Sequence, residues 1–173
     1  LDGAGFRVLA PTEGSGTALL RVRRERTLPD RVGPDLRLLV CGLNPSLHAA
    51  DSGIPFSGRS NRFWPAMLAA GLATRDRDPD DAFGGHGIGF TDFAKRATRT
   101  AAELEPDELH HGVVRLERLV RWLRPGAVCF LGLTGYRLVV DRTARPGPVG
   151  PFGGRPALLD RKSTRLNSSH ITI

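Results

Sequence analysis

Sulfur is scarce in this chain, with two cysteines and one methionine in 173 residues. Cys41 and Cys129 lack CxxC spacing and both fall in apolar, strand-like runs, so they read as small buried hydrophobes rather than as a disulfide or metal pair. Lysine is nearly missing as well, since 23 of the 25 basic residues are arginine. There is no run of 18 or more apolar residues and no signal-peptide pattern. Neither a membrane-spanning helix nor secretion is therefore expected, and the expected location is cytoplasmic. The motifs GxGxxG and GxxxxGK(S/T) are both missing, which removes the nucleotide-cradling loops. His86, His110 and His111 have no partners at zinc or nucleophile spacing and read as surface residues. Nothing in the sequence calls for a metal or a cofactor.

What is present is ordinary globular composition, 40% apolar and 25% charged, over a length that suits one domain. The formal charge is +7, but residues 161–173 hold three basic residues and no acid, so residues 1–160 carry +4. A surplus of that size is compatible with nucleic acid and equally with a plain basic surface. Residues 1–35 mix Gly, Pro and Thr with an arginine-dense patch from Arg21 to Arg26. They are expected to form a partly ordered arm with a short helix over 18–26. The patch reads either as a solvated face or as an arm that touches phosphates.

The chain is organised around residues 38–71. Leu38-Leu39-Val40-Cys41 is a short apolar run closed by Gly42 and reads as a buried strand. Pro45 has no N–H to give to a ladder and biases Asn44 towards extended backbone, so the strand ends there. Asn44 thus stands at the carboxyl end of a core strand, where open α/β sheets bind their ligands. The loop over 46–60 is built of small residues yet carries an apolar insertion, Ile54-Pro55-Phe56. A helix follows: Ser60 or Asn61 caps it, Phe63, Met67 and Ala70 share one face, and Gly71 suits the left-handed turn that ends it.

Gly42-Leu43-Asn44-Pro45, then Pro55-Phe56, then Asn61-Arg62-Phe63-Trp64 resemble the active-site strand, base-stacking loop and following helix of the mismatch-specific uracil-DNA glycosylases, bacterial relatives of thymine-DNA glycosylase. Weaker similarity passes through Gly89-Phe90-Thr91-Asp92, Lys95-Arg96-Ala97-Thr98 and Ala127 to Gly132, and so covers roughly residues 36–140. The resemblance implies an α/β fold, a three-layer α/β/α sandwich with a mainly parallel central sheet. It implies a monofunctional DNA glycosylase of base-excision repair, monomeric, nucleoid-associated through double-stranded DNA and free of cofactors. Such an enzyme removes uracil, thymine or related damaged bases from G:U or G:T mismatches. By the same resemblance Asn44 positions a water, Leu43, Ser46 and Phe56 bind the flipped base, and Arg62, Lys95 and Arg96 contact DNA. The family usually has Gly where this chain has Ser46, and the added hydroxymethyl bears on which bases fit.

The residue types suit that chemistry. Flipping a base out of the stack costs a few kcal/mol, less at a mismatch. Breaking the glycosidic bond through an oxocarbenium-like transition state needs a placed water and donors for the departing base. Asn44 offers a carbonyl for the water without being a strong base, backbone N–H groups around 43–47 are candidate donors, and Phe56 offers a stacking face. Without the resemblance, Asn44 also reads as a turn-forming Asn before Pro and Phe56 as a plug under its loop. Two other classes stay open: a DNA-binding relative that has lost catalysis, and a small-molecule hydrolase using the same crevice.

Downstream, Leu109, Val113, Leu116, Val120 and Leu123 recur at helical spacing and predict a helix over 106–123, stopped by Pro125-Gly126. Residues 127–132 read as the next buried strand and 134–141 as a helix, an order that implies a parallel sheet covered on both faces. The resemblance adds a strand over 88–92 followed by the basic turn at Lys95-Arg96, for which a salt bridge to Asp92 is the plain alternative. Residues 142–154 read as a Pro- and Gly-rich loop. Residues 161–173 break the composition of the rest and resemble a translated vector tail. The expected organisation is an arm over 1–35, a glycosylase-like domain over 36–159 and a non-native tail over 160–173. On that reading the sheet lacks its last strand and the Asn-Pro-Ser-Gly-Leu-type turn with which the family wedges into the duplex.

Overall fold

A computed structural model describes residues 2–12 and 19–160. Two strands, β1 (Phe6–Thr12) and β2 (Leu19–Arg24), pair as an antiparallel ribbon. The central sheet is built from β3 (Leu38–Gly42), β4 (Ile88–Asp92), β5 (Ala127–Leu131), β6 (Gly147–Phe152) and β7 (Arg155–Asp160), in the order β4-β3-β5-β7-β6. All neighbours run parallel except β6, which pairs antiparallel with β7. The helices are α1 (Leu47–Ser52), α2 (Phe63–Ala69), α3 (Pro106–Leu123) and α4 (Leu133–Val139).

Alternation along β3 explains the layers. Leu39 and Cys41 point into a core shared with Leu116 and Val120 of α3, Tyr136 of α4, Val128, Phe130 and Leu159. Leu38 and Val40 point the other way, into a core with Trp64 and Met67 of α2, Ile88 and Phe90. Every residue of β3 and β4 is buried, as expected of central parallel strands whose both faces are covered. Each fully buried Leu, Val or Phe in these cores contributes about 1.5–3 kcal/mol of transfer free energy. The result is a three-layer α/β/α sandwich.

The helix over 106–123 forms as its periodicity predicts. Pro106 opens it, Glu105 and Glu108 form a reciprocal cap, and Arg124 closes it in the left-handed region at φ 51°. Gly112 lets this helix press on the chain leaving β4, because a Cβ there would overlap the Phe93 carbonyl. The helix after Gly132 begins at Leu133.

Three expectations are corrected. The arginine patch is strand, not helix: over Leu19–Arg24 the alternation Arg21-Val22-Arg23 pairs with β1. Residues 147–160 are a β-hairpin rather than loop, since Phe152, Ala157 and Leu159 are buried and the turn at Gly153-Gly154 has positive φ at both glycines. The last parallel strand is therefore present as β7, paired with β5 on one side and covered by β6 on the other, so β7 has no open edge. Residues 161–173, where the tail and any wedge turn would fall, lie outside the described residues.

Candidate active site

The site forms where β3 and β4 end side by side, with Gly42 paired to Asp92. The chain leaving β4 then follows the chain leaving β3: Phe93 N donates to Gly42 O (3.0 Å), Ala94 N to Leu43 O (2.9 Å) and Thr98 N to Pro45 O (3.2 Å). Asn44 lies between these two segments. Its amide Nδ2 donates to Thr98 Oγ1 (2.7 Å), Arg96 O (3.1 Å) and Pro45 O (3.2 Å). Thr98, itself buried, passes its hydroxyl proton to Thr100 O at 2.8 Å. Three acceptors thus fix the amide nitrogen, and among the described residues no donor reaches Asn44 Oδ1. A half-buried carbonyl oxygen held in this way is preorganised to accept from a water or a ligand.

Asp92 is the residue that sequence reasoning missed. It is 5% exposed, and among the described residues no donor reaches its carboxylate. Burial pushes its pKa up to about 6; Lys95 and Arg115 oppose the rise and Asp30 adds to it. The carboxylate stands over Gly42, where a Cβ would overlap Asp92 Oδ1 and lie 3.3 Å from the ring of Phe56. Glycine at 42 is therefore required for the acid and the aromatic ring to meet above the strand end.

Phe56 is presented by its loop under strain. Its φ is +55°, a region that bulky residues rarely enter and that functional sites often retain. The apolar insertion is explained by two anchors. Pro55 is buried and its carbonyl accepts from Trp64 Nε1 at 2.8 Å, while the Phe56 ring packs on Phe63 with centroids 4.6 Å apart. Phe63 in turn meets Trp64 and Phe90, so Phe56 is the outermost ring of an aromatic stack rooted in the core. The N-cap of α2, the helix that carries this stack, is Arg62 rather than Ser60 or Asn61; Asn61 stands just before it, its Oδ1 accepting from Phe63 N at 3.0 Å.

The other residues singled out from sequence divide. Leu43 is half-buried and packs against the α3-side core beside Gly135. Ser46 caps α1, its hydroxyl accepting from Ala49 N at 3.1 Å, so that hydroxyl is already engaged in the free protein. Arg62 precedes α2, and its Nη1 is shielded from solvent with no partner among the described residues. Lys95 and Arg96 are both engaged within the protein. Lys95, 9% exposed, donates to Asp30 Oδ1 (2.7 Å) and Leu28 O (2.6 Å), not to Asp92. Arg96 holds Glu108 through two bonds of 2.7 Å and also reaches Glu103 O.

Thiolate chemistry does not belong here. Burial drives the Cys41 thiol far up and the Cys129 thiol to about 12, so both stay protonated near neutrality. No group of three or more His, Cys, Asp or Glu residues suited to a metal occurs among the described residues. Nor is any described helix long and apolar enough to cross a membrane. Two open grooves of about 550 and 460 Å³ lie under the segment around Pro29 and Asp30; neither is lined by Asn44 or Asp92.

A buried carboxyl and a strained aromatic ring thus meet over Gly42 at the carboxyl ends of two central parallel strands, and the fixed amide of Asn44 follows two residues on. The sequence model of the Uracil DNA glycosylase superfamily, hydrolases that cut bases from DNA, matches residues 29–170. That match takes in β3 to β7 and every residue of the site, and the chain belongs to the uracil DNA glycosylase superfamily.

Proposed function

We propose that the protein is a monofunctional, monomeric DNA glycosylase that needs no cofactor and removes uracil, or thymine, opposite guanine. The reading rests on Asp92 and Phe56 meeting over Gly42, with Asn44 two residues beyond it in the chain. A mismatched nucleotide is the least costly to extrude from the stack. Its base then stacks on the half-buried ring of Phe56, at the outer end of its aromatic column. Asn44 Oδ1 accepts a hydrogen bond through one proton of a water beside the sugar, and that proton stays on the oxygen. Asp92, with a pKa near 6, is ionised at neutral pH and basic enough to take the other. The water oxygen bonds to C1′ as the bond from C1′ to the base breaks, and the base leaves with the electron pair as an anion.

Arg62, partly exposed at the start of α2, is the proposed contact to phosphate. The reading is tested by excision of uracil from a G:U duplex under single turnover, with and without a chelator. Excision unaffected by chelator is expected. Activity lost with chelator and restored by a divalent metal would contradict it, as would an intact duplex.

A further inference from the structure

The β1–β2 ribbon lies outside the part of the chain that matches the superfamily, which begins at residue 29. It is nevertheless tied to the site. From Arg31 back to Arg26 the chain runs antiparallel to the segment from Phe90 to Ala97: Arg31 bridges Phe90, Thr27 Oγ1 donates to Lys95 O, and Ala97 N donates to Arg26 O (3.0 Å). The Arg26 guanidinium also pairs with Asp51 of α1, the helix after Asn44. The ribbon therefore leaves the body at the carboxyl end of β4, beside the loops that hold Asn44 and Asp92.

Its charge is placed on purpose-like register rather than scattered. Arg7 lies directly opposite Arg23, and Arg21 follows on the same face two residues away. Like charges facing each other across a strand pair are unfavourable. Glu25 lies 3.3 Å from both Arg7 and Arg23 and offsets part of that repulsion, yet over residues 6–25 four arginines against Glu13 and Glu25 leave +2. Arg21 and Arg24 have no acidic partner among the described residues. All four arginines are exposed, as are Val8, Leu9 and Val22. At about 3.3 Å per residue, a ribbon of this length extends roughly 20 Å, enough to follow several phosphates.

We propose that the β1–β2 ribbon is a DNA-binding arm, in which Arg7, Arg21 and Arg23, on one face of the ribbon, lie along the phosphate backbone flanking the extruded nucleotide. The polyanion supplies the negative charge that the ribbon lacks, and the arm contributes affinity without taking part in bond breaking. The inference rests on the proposed DNA partner but not on the excision chemistry.

The test compares the full chain with Arg7→Gln/Arg21→Gln/Arg23→Gln and with the charge-keeping Arg7→Lys/Arg21→Lys/Arg23→Lys. Affinity for a fully paired duplex is measured as a function of salt. With three phosphate contacts removed, the slope of log K against log salt should fall by about two to three for the glutamine variant and stay unchanged for the lysine variant. Single-turnover excision at saturating enzyme should be equal in all three. An unchanged slope in the glutamine variant would overturn the proposal, as would a parent chain without salt-dependent duplex affinity. So would a parent chain that sediments as a dimer whose ribbon is occupied by a second copy. If duplex affinity depends on the arm but no uracil is released, the arm stands and the glycosylase reading falls.

Discussion

Asp30 and Asp92 both bring a largely buried carboxylate to the same strand end: the Asp30 side chain is 7% exposed, and Asp92 as a residue is 5% exposed. Asp30 is saturated: Lys95 Nζ (2.7 Å), Arg115 Nη1 (2.6 Å) and Thr91 Oγ1 (2.7 Å) all donate to it. Asp92 receives no donor among the described residues, although Arg115 Nη2 reaches its backbone carbonyl at 2.6 Å. The cations near Asp92 have been taken by its neighbour. Burial then acts on Asp92 with little relief and raises its pKa to about 6. The comparison teaches that burial alone does not distinguish a structural acid from a reactive one; the hydrogen-bond partners do.

The sharpest way to break the comparison is to remove the paired acid. Asp30→Ala leaves Lys95 and Arg115 buried without their counter-charge, and losses of this kind cost about 3–5 kcal/mol. A large drop in denaturation midpoint is the expected result; a variant as stable as the parent would show that the network carries no structural weight. At the site itself, Asn44→Ala should leave duplex binding intact and slow single-turnover excision by about two orders of magnitude, the usual loss of one preorganised polar group near a charged transition state. Phe56→Ala should weaken capture of the extruded base by about 1–3 kcal/mol. Alanine keeps the Cβ that strains φ +55°, so any drop in its melting temperature reports the lost packing on Phe63.

How much of this was legible beforehand follows from the kind of signal each element carries. The strand over 38–42 and the helix over 106–123 declare themselves, because their apolar spacing is local and complete. The hairpin over 147–160 hides behind Pro148, Pro151 and a Gly pair, which a short antiparallel edge strand tolerates and a central one does not. Asn44 and Phe56 are visible through the family motif around them. Asp92 is not, because the nearest cation in sequence, Lys95, looks like its partner. The fold instead delivers Lys95 to Asp30, 65 residues away, and no pattern within the 88–98 segment encodes that choice. Thr98 escaped for the same reason: its hydroxyl matters only because β3 and the chain after β4 leave the sheet together.

The central claim is that Asp92 is the reacting acid. Its folded pKa lies above the ordinary carboxylate value of 3.8, so the stability it contributes is full below about 4 and is lost as pH rises through about 6. At neutral pH the buried, ionised group destabilises the fold by about 3 kcal/mol. Asp92→Asn should therefore be at least as stable as the parent at pH 8 while losing excision, an opposition that a structural acid such as Asp30 cannot produce. The most direct measurement is single-turnover excision from a G:U duplex between pH 5 and 8 for the parent and Asp92→Asn. The account predicts a parent rate that rises about tenfold per pH unit below about 6 and then levels, with the variant slower by about three orders of magnitude and flat. A parent rate independent of pH across this range, or an Asp92→Asn variant as fast as the parent, would contradict it.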